Sequence, residues 1–298
     1  MKIVVSDHMG EDILDELSEL GEVVYMPKNL EKEIEDAHVL IVRSGTKVTK
    51  ELLKNAKRLE LVVRAGVGVD NIDVKECERK GIKVANTPDA SSISVAELTI
   101  GLMIALLRNI IKAHIQMTSG IWDRKALVGR ELYGKTLGII GFGRIGRKVA
   151  ERAVGMGMRV IAYDPHLKES ELAELVDFDT LLRNSDIISL HTALTEQTRN
   201  MINAETIKKM KNGAYIINAA RGALIDEDAL YDALVSGKIA GAALDVTVEE
   251  PHKGKLLEVD NVIFSSHIGA STIEAQERVG EEVVVIVENH VKKRMEKK

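Results

Sequence analysis

The sequence predicts an α/β protein built on two doubly wound parallel sheets. Short apolar runs alternate with helical periodicity along the chain, which implies parallel strands joined by crossover helices. The runs fall into two blocks, one ahead of residue 92 and one from Lys135 onward, with a long helical pattern between them. In the second block a strand pattern feeds a glycine-rich turn that opens directly into a helix.

The first block opens on Lys2-Ile3-Val4-Val5-Ser6. Further strands are expected at Glu22 to Tyr25, His38 to Arg43, Leu59 to Arg64 and Ile82 to Ala85, with helices between them such as Lys50 to Ala56 and Val74 to Lys80. One long helix follows. Ser94 and Glu97 have capping-box spacing, Ile100, Met103, Ile104 and Leu107 recur at helical intervals, and the pattern runs to about Met117, with Gly120 just beyond. The second block predicts strands at Thr136 to Ile140, Arg159 to Tyr163, Ile187 to Leu190, Ala214 to Ile217, Gly241 to Asp245 and Val262 to Phe264. A last helix is expected over Thr272 to Lys293, capped by Ser271 with Glu274. Its pattern does not say which block it packs on.

Of the 298 residues, 45% are hydrophobic and 29% charged, the balance of a soluble globular protein. A net charge of −5 argues against a nucleic-acid surface, which needs an excess of cations. The basic tail from Lys292 to Lys298 reads as a solvated helix end with cations on its negative pole. The most apolar stretch, Leu98 to Leu107, is too short to span a bilayer, and Met1-Lys2-Ile3-Val4-Val5 runs into an acidic segment, unlike a signal peptide. The single cysteine, Cys77, forbids an intrachain disulfide and reads as a structural thiol. A cytoplasmic protein is expected, with no metal centre, membrane or nucleic-acid partner.

Leu137-Gly138-Ile139-Ile140 leads into Gly141-Phe142-Gly143-Arg144-Ile145-Gly146 and a helical run to Met156. That is the context a dinucleotide fingerprint requires. Gly141 permits the tight turn, Gly143 lets the backbone approach a pyrophosphate, and Gly146 lets helix and strand pack closely. The helix start offers N–H groups to phosphates. The next strand ends at Asp164, roughly 20 residues past the turn. A carboxylate there accepts both hydroxyls of the adenosine ribose and repels a 2′-phosphate, which favours NAD over NADP. Alone, Asp164 reads equally as a turn residue before Pro165; strand, glycines and acid together favour the cofactor.

Three later segments each join a strand end to polar residues: Ile217-Asn218-Ala219-Ala220-Arg221-Gly222, Leu244-Asp245 through Glu249-Glu250-Pro251, and Ser265-Ser266-His267-Ile268-Gly269-Ala270-Ser271-Thr272. Ligands of open α/β sheets bind at such strand ends. Oxidising a C–OH needs a base for the hydroxyl proton, which suits His267. Glu250 suits the far ring nitrogen, and Arg221 suits a substrate carboxylate. Taken singly, Arg221 reads as a helix-cap ion pair, Glu250 as a loop residue and His267 as a core histidine.

These motifs resemble the D-isomer-specific 2-hydroxyacid dehydrogenase family over essentially the whole chain. Asn86-Thr87-Pro88, Ala96-Glu97-Leu98, Gly134-Lys135-Thr136-Leu137-Gly138 and His267-Ile268-Gly269 carry the likeness with the fingerprint. The resemblance implies Arg221, Glu250 and His267 as the catalytic trio. It implies cofactor contacts at Gly141, Gly143, Arg144, Ile145, Gly146, Asp164, His191, Thr192, Ala219, Ala220, Arg221, Asp245, His267, Gly269 and Ala270. It also implies a Rossmann NAD-binding lobe (93–273) inserted into a flavodoxin-like substrate lobe (1–92 and 274–298), a cleft that closes on the ligands, and a homodimer through the cofactor lobe. Ile121-Trp122-Asp123-Arg124 resembles the segment that reaches the partner subunit.

Within the family, Val42-Arg43-Ser44-Gly45-Thr46-Lys47-Val48 and Arg64 through Asp73 resemble the branch that oxidises D-3-phosphoglycerate, the first step of phosphorylated serine biosynthesis. Arg43 and Arg64 suit a substrate phosphate, with Ser44 beside them, and the N–H groups of Gly66, Val67 and Gly68 suit its carboxylate. The chain ends soon after this core, so a short, serine-insensitive form is expected. A glyoxylate or hydroxypyruvate reductase with the same trio is the nearest rival reading. A non-enzymatic NAD-sensing interaction protein is the rival from another class.

Overall fold

The structure, a computed structural model, describes residues 1–296. Lys297 and Lys298, the end of the expected cationic tail, lie outside the described residues. The chain divides into two compact units, one of Met1–Ser91 with the segment from Ala270, the other of Ser92–Gly269.

In the first unit β1 (Lys2–Val5), α1 (Glu11–Leu20), β2 (Glu22–Tyr25), α2 (Leu30–Glu33), β3 (Val39–Val42), α3 (Lys50–Asn55), β4 (Leu61–Arg64), α4 (Val74–Arg79) and β5 (Lys83–Asn86) follow in order. The strands pair in parallel as β2-β1-β3-β4-β5, the flavodoxin-like order. Successive side chains leave opposite faces of the sheet. Ile3, Val5, Val39, Ile41, Leu61 and Val63 build one core, and Val4, Leu40, Val42 and Val62 meet Leu52, Leu53 and Cys77 in the other. Burial pushes the Cys77 thiol up to about 11, so it carries no thiolate near neutral pH.

The second unit contains α5 (Ser92–Leu107), α6 (Ile110–Thr118), β6 (Thr136–Ile140), α7 (Arg144–Gly155), β7 (Arg159–Tyr163), β8 (Glu174–Leu175), α8 (Phe178–Asn184), β9 (Ile187–Leu190), α9 (Ala204–Lys209), β10 (Ala214–Asn218), α10 (Glu227–Val235), β11 (Ile239–Leu244) and β12 (Val262–Phe264). Its sheet is parallel throughout, ordered β12-β11-β10-β9-β6-β7-β8. This is the doubly wound dinucleotide order with one strand added at the β12 edge, and the order reverses between β6 and β9. A crevice at the carboxyl ends of those two strands is where such sheets take ligands.

The last helix, α11 (Ile273–Met295), belongs to the first unit. Val279, Val283 and Val287 join the core with Ile3 and Val5, and a Cβ on Gly280 would press into the Ile13 side chain of α1. At its far end His290 and Arg294 both pair with Glu60, at 3.1 and 3.3 Å.

Local expectations are corrected in three places. The long helix is two helices: α5 stops at Leu107, Asn109 takes a left-handed φ of 55°, and α6 leaves at 63° to α5. Asparagine tolerates that conformation, and the freed Leu107 carbonyl accepts the N–H of Arg130 at 2.8 Å. Ser94 is no cap, because α5 begins at Ser92 and buries Ser94 in its first turn. Thr272, not Ser271, caps α11, its hydroxyl accepting the N–H of Ala275 at 3.1 Å. The two-residue β8 is too short for any apolar alternation to announce. Among the described residues no single helix is long and apolar enough to cross a membrane, and much of α5 is core.

Candidate active site

The fingerprint turn leaves β6 at Gly141, whose φ is 88°. A Cβ there would lie 2.6–2.7 Å from the Thr192 nitrogen and the His191 carbonyl group, so the turn closes against the end of β9 only with glycine. Gly146 faces the Gly141 carbonyl and Ile139, where a Cβ would drive helix and turn apart. No described atom lies within 4 Å of a Cβ built on Gly143, and among the described residues no side chain caps it. The first turn of α7, with Arg144 and Ile145, thus starts beside open space with its N–H dipoles at that end.

Asp164 ends β7 beside this turn. Its carboxylate accepts the N–H of Phe142 at 2.9 Å and of His166 at 3.0 Å. Phe142, Gly143, Arg144, Arg147, Asp164, His166 and Leu167 line an open cavity of about 470 Å³. Across the turn, His191 hydrogen-bonds Ser189 Oγ through Nε2 at 2.8 Å, while its buried Nδ1 has no partner among the described residues. The residue keeps a partly exposed edge, yet loss of solvent around the ring pushes its pKa down to about 3, so the imidazole is neutral. Uncapped amides, a cradle that tolerates no Cβ at Gly141, a carboxylate wall and an orphaned ring nitrogen together fit a bound NAD.

Three adjacent strand ends carry the catalytic candidates. After β10, the buried Asn218 accepts the Ala220 N–H at 3.0 Å and donates to the Arg221 carbonyl at 2.9 Å. That side chain shapes the loop through Ala219, and Arg221 Nη1 donates to the Ala220 carbonyl at 2.6 Å. A Cβ on Gly222 would collide with the backbone of Thr247, so this loop lies directly on the one leaving β11. After β11, Asp245 is 2% exposed and accepts from Ser265 Oγ, from the Ile268 N–H and from the Gly269 N–H at 2.6, 2.9 and 2.9 Å. Its carbonyl accepts the His267 N–H at 2.9 Å. His267 sits at φ 56°, a strained conformation for a non-glycine residue, and these bonds to Asp245 hold it there.

Glu250 and His267 meet: Nδ1 lies 2.9 Å from Oε2, with both side chains open to solvent. When Nδ1 carries the proton for that bond, Nε2 is left as the acceptor that can take a proton from a substrate hydroxyl. The neighbouring Glu249 faces Lys253 instead, at 3.6 Å. Gly269 is buried behind His267 and Ala270 is exposed.

In the first unit, Arg43 directly follows β3 and Arg64 ends the neighbouring β4. Asp7 accepts the N–H groups of Arg43 and Thr46, and Arg43 Nη1 donates to the His8 carbonyl at 3.2 Å, leaving Ser44 exposed on the loop. Arg64 donates to the Ala65 carbonyl and, at 3.3 Å, to Asn71, which itself donates to the carbonyls of Arg43 and Thr46. In the following loop the Gly66 and Val67 carbonyls take the Thr87 N–H and the Asn86 side chain, and Gly68 is half-buried. Asp7, Asn71 and Asn218 hold these loops through their side chains. A lone Asp or Asn after an apolar run is their only signal, and turns share it.

Residues 100–269 match the family described as D-isomer specific 2-hydroxyacid dehydrogenase, NAD binding domain. A hydroxypyruvate reductase of Thermotoga maritima is 50% identical over 95% of this chain and 96% of its own length. A D-3-phosphoglycerate dehydrogenase of Methanocaldococcus jannaschii is 52% identical over 98% of this chain, which spans 57% of that longer protein. The crystal structure of the Aquifex aeolicus D-lactate dehydrogenase with NAD and lactic acid superposes with a TM-score of 0.89 at 35% identity, covering 99% of this chain and 97% of that one.

Proposed function

The chain belongs to the D-isomer-specific 2-hydroxyacid dehydrogenase family and is an NAD-dependent oxidoreductase, and on that premise we propose that its substrate is D-3-phosphoglycerate, oxidised to 3-phosphohydroxypyruvate at the start of serine biosynthesis. Bound NAD supplies the acceptor for the substrate's hydride. In this reading His267 Nε2 takes the hydroxyl proton, Glu250 holds the imidazole and balances its charge once protonated, and Arg221 faces the substrate carboxylate. The observation that carries the choice of substrate is the pair of cations, Arg43 and Arg64, at the ends of adjacent strands β3 and β4. A phosphate needs such cations, and a smaller 2-oxo acid does not.

A second reading, a hydroxypyruvate reductase, is favoured by two findings. The Thermotoga hydroxypyruvate reductase matches this chain over nearly all of its length, and both arginines here also donate to backbone carbonyls. The two separate in kcat/KM for 3-phosphohydroxypyruvate, hydroxypyruvate and glyoxylate with NADH. Under the phosphoglycerate reading, Arg43→Ala and Arg64→Ala each lose about 1.5–3 kcal/mol, roughly 10–100-fold, on the phosphorylated substrate and far less on the others. Equal losses on all three, or a wild type that prefers hydroxypyruvate, would establish the reductase.

We also propose that the protein is a homodimer through its second unit. Ile110, Ile111, Ile115 and Met117 of α6 are exposed, and the chain beyond them carries Ile121, Trp122 at 74% exposure and Val128 at 81%. An apolar surface of this extent marks a protein contact. Light scattering should give twice the 32.8 kDa chain mass, and Ile115→Glu combined with Trp122→Glu should halve it. A monomeric wild type at micromolar concentration would rule the dimer out.

A further inference from the structure

Glu250 stands on a loop that one distant carboxylate bonds at one end and lies beside at the other. Glu227, the first residue of α10, accepts the Val248 N–H through Oε1 at 2.8 Å. Its other oxygen, Oε2, lies 3.7 Å from Nδ1 of His252. The His252 side chain is only 8% exposed and its ring stacks on Phe264, with centroids 5.6 Å apart and an interplanar angle of 23°. Phe264 is the last residue of β12, immediately ahead of the segment that carries His267. The span from Val248 to His252, with Glu250 at its centre, is therefore pinned to α10 on one side and to the root of the His267 loop on the other. Lys255 adds a further tie, lying 3.6 Å from Asp228 and over the Tyr231 ring of the same helix.

We infer that Glu227, with His252, is a positioning residue for the Glu250–His267 pair: it sets the loop from which Glu250 reaches Nδ1 of His267. Glu227 bonds to Val248 and lies beside His252, not beside Glu250 or His267; its effect passes through the backbone of Val248 and the ring of His252. A bond of 2.9 Å between two solvent-open side chains is held by little else on the Glu250 side, since Thr247 Oγ1 donates to the Glu249 carbonyl within the loop itself. Small displacements of a proton-handling pair cost rate steeply, so a residue that fixes its geometry appears in kcat rather than in cofactor binding. The inference rests on Glu250 and His267 being that pair, and not on which 2-hydroxy acid is the substrate.

The test is a double-mutant cycle on the full chain with NADH and whichever 2-oxo acid turns over fastest. Glu227→Ala should lower kcat at least tenfold, with the NADH dissociation constant and the substrate KM within about threefold of wild type. Glu227→Gln retains a side-chain oxygen for the Val248 N–H and should recover most of that loss. In a Glu250→Gln background, Glu227→Ala should cost less than twofold more, because the partner it positions is already gone. Full additivity, or a Glu227→Ala enzyme with wild-type kcat, would overturn the inference. If Glu227→Ala does not fold, a Glu227→Gln enzyme whose residual loss is equally large in the Glu250→Gln background overturns it as well. A fully active Glu250→Gln enzyme would bring down the acid–base reading itself, and so is distinguishable from a failure confined to Glu227.

Discussion

Replacing His267 with asparagine should reduce kcat by about 10²–10⁴-fold while NADH affinity stays close to wild type. Asparagine is the informative choice because position 267 has a φ of 56°, which asparagine tolerates better than alanine or glutamine. The Asp245 bonds to the neighbouring N–H groups of Ile268 and Gly269 involve only backbone on that side, so the loop should survive the change. What is lost is the ring, and with it the nitrogen facing Glu250 at 2.9 Å and the one proposed to take the substrate proton. Glu250→Gln should cost less, since it removes the charge that stabilises the imidazolium but leaves the base. Steady-state turnover with a 2-oxo acid and NADH, set beside a fluorescence titration of NADH, checks both. Turnover within tenfold of wild type in His267→Asn would refute its role as acid and base. The same pair of measurements separates an enzyme from a protein that only senses NAD.

Gly141→Ala should be among the most damaging single-methyl changes in the second unit. Alanine at a φ of 88° is strained by about 1–3 kcal/mol, and its methyl would lie 2.6–2.7 Å from backbone atoms of His191 and Thr192. Backbone cannot swing aside as a side chain does, so overpacking adds about 1–3 kcal/mol more. The turn can relieve both only by moving away from the end of β9, which takes the N–H groups at the start of α7 out of register with a phosphate. NADH binding should weaken at least tenfold, alongside a clear loss of stability. Denaturant unfolding and the NADH titration measure the two effects, and an unchanged midpoint with unchanged affinity would contradict the argument. Gly143→Ala, whose methyl meets no described atom, should spare stability and act on the cofactor alone.

Most strands were legible because their sequence is a local record of burial. Val39-Leu40-Ile41-Val42 is buried on both faces and reads as an unbroken apolar run, as a central parallel strand must. The fingerprint was legible for a similar reason: its glycines, its helix start and the acid at the end of the next strand answer to steric demands made within one βαβ unit. The break between α5 and α6 was not, since the apolar spacing continues across it and the carbonyl of Leu107 is satisfied by Arg130, from a segment more than 20 residues away. In the site, strand ends and family likeness point to Arg221, Glu250 and His267, and to Asp245 as a cofactor contact, but not to the anchoring roles of Asp245 and Glu227. Asp245 bonds to groups 20 to 24 positions away, and Glu227 to one 21 positions away. No local pattern reports a bond of that span.

By itself the sequence determined the parallel α/β class and the NAD turn, because each depends on residues close together along the chain. Tertiary structure alone decided how α11 meets the first core, with Gly280 against Ile13 of α1, and set Asp245 and Glu227 as the anchors of the two loops that bear Glu250 and His267. Each is a contact between segments brought together by parallel strand order and register, and the energy of such a contact is unexpressed until the strands that carry it lie side by side.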